Sequence, residues 1–432
     1  MLSAGEREAA RGVLSEARER TLCLVDGLDD EALCAQHSVL MAPMVWDLAH
    51  VANYEEQWLV RALGGGRLCT SEVDRLHDPM LHARAERGRL PLFTVVRAKA
   101  YLAQVRRCAL ERLELPSNGK DARLLRGGFV YGMVAQHEHQ HDETMLATLQ
   151  LMERWGYQPL PPAPLSPSVS ARGEVFIEGG PFVMGTDELP WAYDNERGGH
   201  EVQVPPFFID RAPVTNAEYA EFIEARGYED RRWWSPEGWS HRSSAGLQAP
   251  QFWFRAGRKW RRRRFAAVEE VPLDEPVQHV CWYEAEAYAR WKGKRLPTEA
   301  EWEKAASWSP EGRKRFYPWG ETPPDKTRAN LGQRRHSPAP VGTYPAGASA
   351  YGCLQMLGDV WEWTSSSFAP YPAFEAFPYR EYSAVFFGPK YKVLRGGSWA
   401  THPLAIRTTF RNWDLPVRRQ IFSGFRCAHT VC

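Results

Sequence analysis

No stretch of this sequence reaches the ~18 to 20 uninterrupted apolar residues needed to cross a bilayer as a helix, which excludes a helical membrane span. Neither sign of charge prevails: 54 Lys and Arg stand against 53 Asp and Glu, for a formal net charge of +1. A general electrostatic pull towards nucleic acid or an anionic membrane is therefore missing. The one strong basic run, residues 258–264, lies among Trp253, Phe254, Trp260 and Phe265. A nucleic-acid patch is one reading of such a run; a solvated loop or strand edge is the ordinary one. Cysteine is scattered, at positions 23, 34, 69, 108, 281, 353, 427 and 432, with no Cys-x-x-Cys pair. That excludes a dense disulfide framework and suits free thiols in a reducing cytosol. Residues 1–20 lack the apolar core of a secretory signal, so a cytoplasmic location is expected.

What is present fits two domains, because 432 residues exceed one ordinary core. The first part reads as helical. Ala9, Val13, Leu14, Ala17, Thr21 and Leu22 are expected on one apolar face, and further amphipathic stretches run over about 44–63, 93–113 and 128–154. Four such segments suffice for a helical bundle, whose interior is a natural place for a metal. The proline-rich stretch 159–167 then breaks any helix and reads as an extended linker. The expected division is a bundle over 1–158, a linker over 159–172 and a second domain over 173–432. In that domain Trp, Gly and Pro become dense. Residues 174–180 read as a strand then a turn, and helices are expected over 216–225, capped by Thr215 or Asn216, and 282–292. Short strands and many loops indicate an α+β domain held by aromatic packing.

The sharpest chemical feature is His137-Glu138-His139-Gln140-His141-Asp142-Glu143 on the fourth helix. His137 and His141, four apart, project from the same helical face and can share an ion, whereas His139 points elsewhere. His50, on the second helix, is a candidate third ligand or a hydrogen-bonded core residue. Imidazole nitrogens suit zinc, copper, iron and nickel alike, and Glu143 could be a ligand, a base or an orienting group. From spacing alone the reading ends at an open metal site.

Two stretches carry a resemblance: residues 40–55, with Trp46-Asp47-Leu48-Ala49-His50, and residues 136–146 around the histidines. Both resemble the DinB-type domain of ergothioneine-pathway sulfoxide synthases. The second part is similar to the formylglycine-generating-enzyme fold, a variant of the C-type lectin fold. Its markers include Phe182-Val183-Met184-Gly185, the run 295–303, Gly358-Asp359-Val360-Trp361-Glu362-Trp363, Arg395-Gly396-Gly397-Ser398-Trp399 and Gly424-Phe425-Arg426-Cys427. The implied architecture is an N-terminal DinB-like four-helix bundle followed by a C-type-lectin-like domain.

The resemblance implies an Fe(2+)- and O2-dependent enzyme that joins hercynine, a betaine of histidine, to a thiol at the imidazole carbon between the nitrogens and leaves a sulfoxide. His50, His137 and His141 would be the iron ligands. Gln140, Asn412 and Trp413 would hold hercynine, whose permanent cation favours aromatic faces and oxygen dipoles; without the resemblance, Trp413 reads as core packing. Arg84 and Arg87 would clamp carboxylates of the thiol with forked hydrogen bonds, and Asp414 and Arg418 would hold the two ends of a glutamyl group. That set implies γ-glutamylcysteine as thiol donor, with free cysteine as the alternative. Tyr379, in Phe377-Pro378-Tyr379-Arg380-Glu381-Tyr382-Ser383, aligns with the proton donor that steers the reaction away from thiol dioxygenation, and Tyr382 is the reserve. The expected partners are thus small molecules, with neither nucleic acid nor membrane among them.

Three rivals can be set against this. A formylglycine-generating oxidase depends on a cysteine pair; Cys427 stands in a matching place, but residues 400–411 contain no second cysteine. A synthase of the ovothiol type usually carries an added methyltransferase domain, for which no segment is seen. A non-catalytic lectin-like binding module would need neither iron nor oxygen.

Overall fold

The computed structural model describes residues 2–115, 122–153, 157, 159, 164–166 and 168–431. Within the expected linker, residues 160–163 and 167 lie outside the described residues, as does Arg154 at the expected end of the fourth helix. The chain divides into two compact units. One comprises Met1–Tyr157 with Glu188–Trp191, the other Gln158–Asp187 with Ala192–Cys432.

The first unit is helical: α1 (Ala4–Val25), α2 (Asp30–Cys34), α3 (Met44–Glu55), α4 (Ser71–Leu76), α5 (Val95–Leu113) and α6 (Phe129–Leu151). Ser3 and Glu6 form a capping box at the start of α1, and Thr94 caps α5. Helix α1 packs on α6, and α3 packs on α5. The inward face of α1 departs from expectation: Ala9 and Leu22 are exposed, and the buried stripe is Ala10, Leu14, Ala17, Arg18, Thr21, Leu24 and Val25. Apolar counting fails there because an arginine occupies the stripe. Arg18 donates to Glu138 (2.7 Å) and Glu55 (2.7 Å), and Arg106 donates to Glu138 (2.8 Å) and Glu55. Two buried arginines thus face two buried glutamates, so charge as well as apolar area ties α1, α3, α5 and α6 together. Removing one partner of such a pair costs roughly 3 to 5 kcal/mol, because the other is left charged and dry.

The second unit contains β1 (Glu174–Ile177), β2 (Gly180–Met184), β3 (His200–Val204), β4 (Phe207–Asp210), β5 (Trp253–Ala256), β6 (Lys259–Arg264), β7 (Ala267–Glu270), β8 (Trp361–Phe368), β9 (Gly388–Arg395), β10 (Asn412–Asp414), β11 (Ser423–Gly424) and β12 (Ala428–Thr430). They form sheets ordered β1-β4-β12, β10-β9-β8-β11, β2-β3 and β5-β6-β7. Its helices are α7 (Asn216–Glu224), α8 (Pro236–Ser244), α9 (Trp282–Trp291) and α10 (Glu299–Ser307). Thr215 caps α7 through a capping box with Glu218, and Ala225 and Lys292 are the closing caps of α7 and α9. Helices α8 and α10 were not expected. The buried positions of α10 include Glu299, Glu303, Lys304 and Ser307, so it shows no apolar period.

Trp302, Trp363 and Trp399 are fully buried beside Arg395, Arg411 and Arg426. Each of these arginines meets a carboxylate: Arg395 on Glu299 (2.9 Å), Arg411 on Glu299 (2.7 Å) and Arg426 on Glu362 (2.7 Å). The basic run proves to be a middle strand, not a loop or sheet edge. Arg262 pairs with Glu269 (2.9 Å) and Glu275 (2.8 Å), Arg264 with Glu269 (3.1 Å) and Lys259 with Glu270 (2.7 Å). Much of its charge is spent inside the sheet. Among the described residues no helix is long and apolar enough to cross a membrane.

Candidate metal centre

Helix α3 is buried along its whole length, which brings His50 inside the bundle instead of leaving it at the surface. Helix α6 supplies His137 and His141 one turn apart. One nitrogen from each of the three histidines lies within 4.8 Å of the others, the only such His/Cys/Asp/Glu cluster among the described residues. Ring centroids are 5.2 Å apart for His50 and His137, 4.7 Å for His50 and His141, and 4.6 Å for His137 and His141.

The outer nitrogens of two of these rings are already engaged. His50 Nδ1 donates to the carbonyl of His77 at 2.8 Å, and His141 Nδ1 donates to the Asp47 carboxylate at 3.0 Å. A carbonyl can only accept, so His50 carries its proton on Nδ1 and offers Nε2 as a lone pair; the carboxylate imposes the same tautomer on His141. Trp46 stacks on His50 (4.7 Å, 10°) and Tyr54 on His137 (3.7 Å, 15°), fixing the ring planes. Burial, followed by the neighbouring His141, holds the His50 and His137 imidazoles well below their usual pKa. Neutral rings are the form that binds metal. Three converging imidazoles, two with tied outer nitrogens and two with aromatic backing, therefore fit a resident metal that keeps open positions.

His139 is buried on another side, with Nδ1 3.3 Å from Asp142. Glu143 is not a member of the histidine cluster. Reading by residue type passed over Asp47, the carbonyl of His77 and the ring of Tyr54. The signal was available for two of them, since Asp47 and Tyr54 stand three before and four after His50 on one face of α3.

Arg87 is buried over the Trp46 ring, 3.9 Å from its centroid, and donates to the carbonyls of His82 (3.2 Å) and Pro79 (3.3 Å). Among the described residues it forms no ion pair, and burial, with Arg84 nearby, pushes its guanidinium down to about 10. Arg84 is exposed, and Gln140 is half-buried at the surface of α6.

The other expected site residues lie in the second unit. Tyr379 meets Tyr382 edge-on (6.2 Å), Tyr382 meets Trp413 edge-on (5.9 Å), and Trp413 stacks on Phe368 (4.1 Å). Trp413 is half-buried on β10. Asn412 Oδ1 accepts from the Trp413 amide (2.9 Å), and the Asp414 carboxylate lies 3.6 Å from Arg418 Nε. Cys427 is buried and unbridged.

Residues 162–431 match the sulfatase-modifying factor enzyme 1-like domain, and residues 14–145 match the DinB superfamily. The expected pairing of a DinB-like helical domain with a formylglycine-generating-enzyme-like domain is thereby borne out. The sequence is 52% identical over 439 residues to the hercynine oxygenase of Mycolicibacterium smegmatis, covering 98% of this chain and 99% of that one. It is 52% identical over 433 residues to the hercynine oxygenase of Mycobacterium tuberculosis, covering 97% and 98%. The formylglycine-generating enzyme of Streptomyces coelicolor is 37% identical over 299 residues, covering 62% of this chain and 92% of its own. Full-length similarity thus lies with proteins that have both parts, and the chain belongs to the hercynine oxygenase family and is an oxygenase.

Proposed function

We propose that this protein is an iron(II)- and O2-dependent sulfoxide synthase of ergothioneine biosynthesis that joins γ-glutamylcysteine to hercynine. The observation that carries the reading is the convergence of His50, His137 and His141 nitrogens within 4.8 Å. In the overall reaction the imidazole C–H and the thiol S–H are lost and a C–S bond forms. One oxygen atom of O2 ends on sulfur, and the other leaves with both hydrogens as water. Iron(II), when bound by the three histidines, supplies the redox chemistry by which O2 is reduced.

The chain's own residues do the rest. Asp47 and the His77 carbonyl hold two ligand rings in the tautomer that presents Nε2. Gln140, Asn412 and Trp413 bind hercynine, the last through an aromatic face suited to a trimethylammonium group. Arg84 and Arg87 receive carboxylates of the thiol, and Asp414 with Arg418 holds its glutamyl end. Arg87 supports that role: a buried guanidinium that, among the described residues, hydrogen-bonds only to carbonyls has donors to offer an anion. Tyr379 donates a proton from its phenolic oxygen; binding both substrates before O2 reacts favours coupling over oxidation of the thiol alone.

The test is anaerobic reconstitution with iron(II), then O2 with hercynine and either γ-glutamylcysteine or cysteine, with products read by mass spectrometry. The sulfoxide of the γ-glutamyl conjugate is the expected product. A preference for cysteine would correct the thiol. An inert protein under all conditions, or full iron binding in His141→Ala, would overturn the reading.

A further inference from the structure

The expected tyrosine segment, residues 377–383, is held at both ends by one carboxylate. Asp194 accepts from the Phe377 amide at 3.3 Å through Oδ2 and from the Ser383 hydroxyl through Oδ1. Ser383 Oγ in turn accepts from Asn195 Nδ2 at 2.9 Å. Between these two anchors the ring of Tyr193 stacks on Tyr382 (4.2 Å, 21°), and Tyr382 meets Tyr379 edge-on. Asp194, Asn195 and Ser383 are all buried to within 1% of full burial, so the two bonds at Ser383 do not compete with bulk water.

The same short turn reaches the segment leading into β10. The Asn195 carbonyl accepts from Arg411 Nη1 (2.9 Å), and Glu196 accepts from Arg407 Nε (2.8 Å) and Thr409 Oγ1 (2.7 Å). Arg411 immediately precedes Asn412 and Trp413. Residues 193–196 are therefore bonded on one side to the tyrosine segment and on the other to the strand expected to hold hercynine.

We propose that Asp194 is a positioning residue, fixing the 377–383 segment at its two ends so that Tyr379 is held in register with Asn412 and Trp413. The inference rests on the reading of Tyr379 as proton donor. Burial pushes the Asp194 carboxyl up to about 6 against the bonds from Ser383 and Phe377. A dry carboxylate with these two donors is costly to keep unless both stay in place.

The experiment uses the full chain loaded with iron(II), given hercynine, γ-glutamylcysteine and O2, with sulfoxide and thiol sulfinate quantified. Asp194→Ala should raise the sulfinate-to-sulfoxide ratio about fivefold or more, the worth of a lost hydrogen bond or two, while KM for both substrates moves less than about twofold. Asp194→Asn, whose amide oxygen can keep one of the two bonds, should fall between wild type and Asp194→Ala. Ser383→Ala removes the other end of the latch and decides the matter if Asp194→Ala does not fold. Amide exchange by mass spectrometry over peptides spanning 376–386 is the second readout: protection should fall in Asp194→Ala and Ser383→Ala, and partly in Asp194→Asn. Tyr379→Phe runs in parallel. Unchanged ratios in the Asp194 and Ser383 variants, with Tyr379→Phe diverting products, overturn the proposal, as does unchanged exchange. An unchanged ratio in Tyr379→Phe removes the tyrosine assignment instead, and the exchange result still decides the latch.

Discussion

Asp47 and His141 stand on different helices, yet the Asp47 carboxylate accepts the His141 Nδ1 proton at 3.0 Å. Its other oxygen has no hydrogen-bond partner among the described residues. Asp47 is thus committed to a ring of the histidine cluster on α6 from a position one turn before His50 on α3. Asp47→Ala should weaken iron(II) binding by about 10- to 100-fold, the usual worth of a carboxylate behind a ligating histidine. Competition against a chelator of known affinity measures this on the resting protein. Wild-type affinity in the folded variant would mean that the carboxylate does not orient the ring.

Arg87 is buried and, among the described residues, without an ion pair, while Arg84 is exposed. If Arg87 receives a glutamyl carboxylate, Arg87→Met should raise KM for γ-glutamylcysteine by about tenfold or more, the loss of a charge-assisted hydrogen bond, with a smaller change for cysteine. Methionine keeps the apolar stem over Trp46. Equal losses for the two thiols, in steady-state kinetics, would assign Arg87 to packing.

Tyr379→Phe should leave iron and both substrates bound but divert turnover to the sulfinate of the thiol, because the ring is kept and only the phenolic proton is lost. Tyr382→Phe is the control. Product analysis under O2 separates the two, and a sulfoxide yield that falls only in the Tyr382 variant would transfer the role to that residue.

The histidine pair was legible because helical arithmetic alone puts i and i+4 on one face, and α6 obeys it. His50 was not fixed by spacing; its candidacy strengthened only through the resemblance, since no local pattern says which face of a fully buried helix meets another. The inward face of α1 was misread in part for a physical reason. Arg18 lies in the buried stripe, paired with glutamates on two other helices, and a count of apolar residues has no way to place it. The Asp194 latch was illegible for a related reason: its partners are 183 and 189 residues away along the chain. Turn residues such as Asp194 and Asn195 look ordinary until the fold closes that distance.

Acid should loosen the second unit in a way that one side chain reports. His279 is buried, its Nδ1 3.3 Å from the Arg419 carbonyl, and burial lowers it from 6.5 to about 3. The unfolded chain takes up that proton near pH 6.5 and the folded one only near 3, so the contribution is complete above 6.5 and drains away as pH falls through that window. Glu303 acts in the same direction lower down. Burial alone would raise it, but Lys314 and Arg395 more than offset that and hold it at about 2, so its contribution is present above 4.5 and lost on the way to 2. Residue 279 has φ +64°, a conformation asparagine accepts more readily than most side chains. His279→Asn should therefore fold, and it should flatten the fall of unfolding free energy by about 1.4 kcal/mol per pH unit between about pH 6 and pH 4, one linked proton's worth. Chemical denaturation of both proteins across that range gives the two slopes directly; parallel slopes would show that the proton is taken up elsewhere.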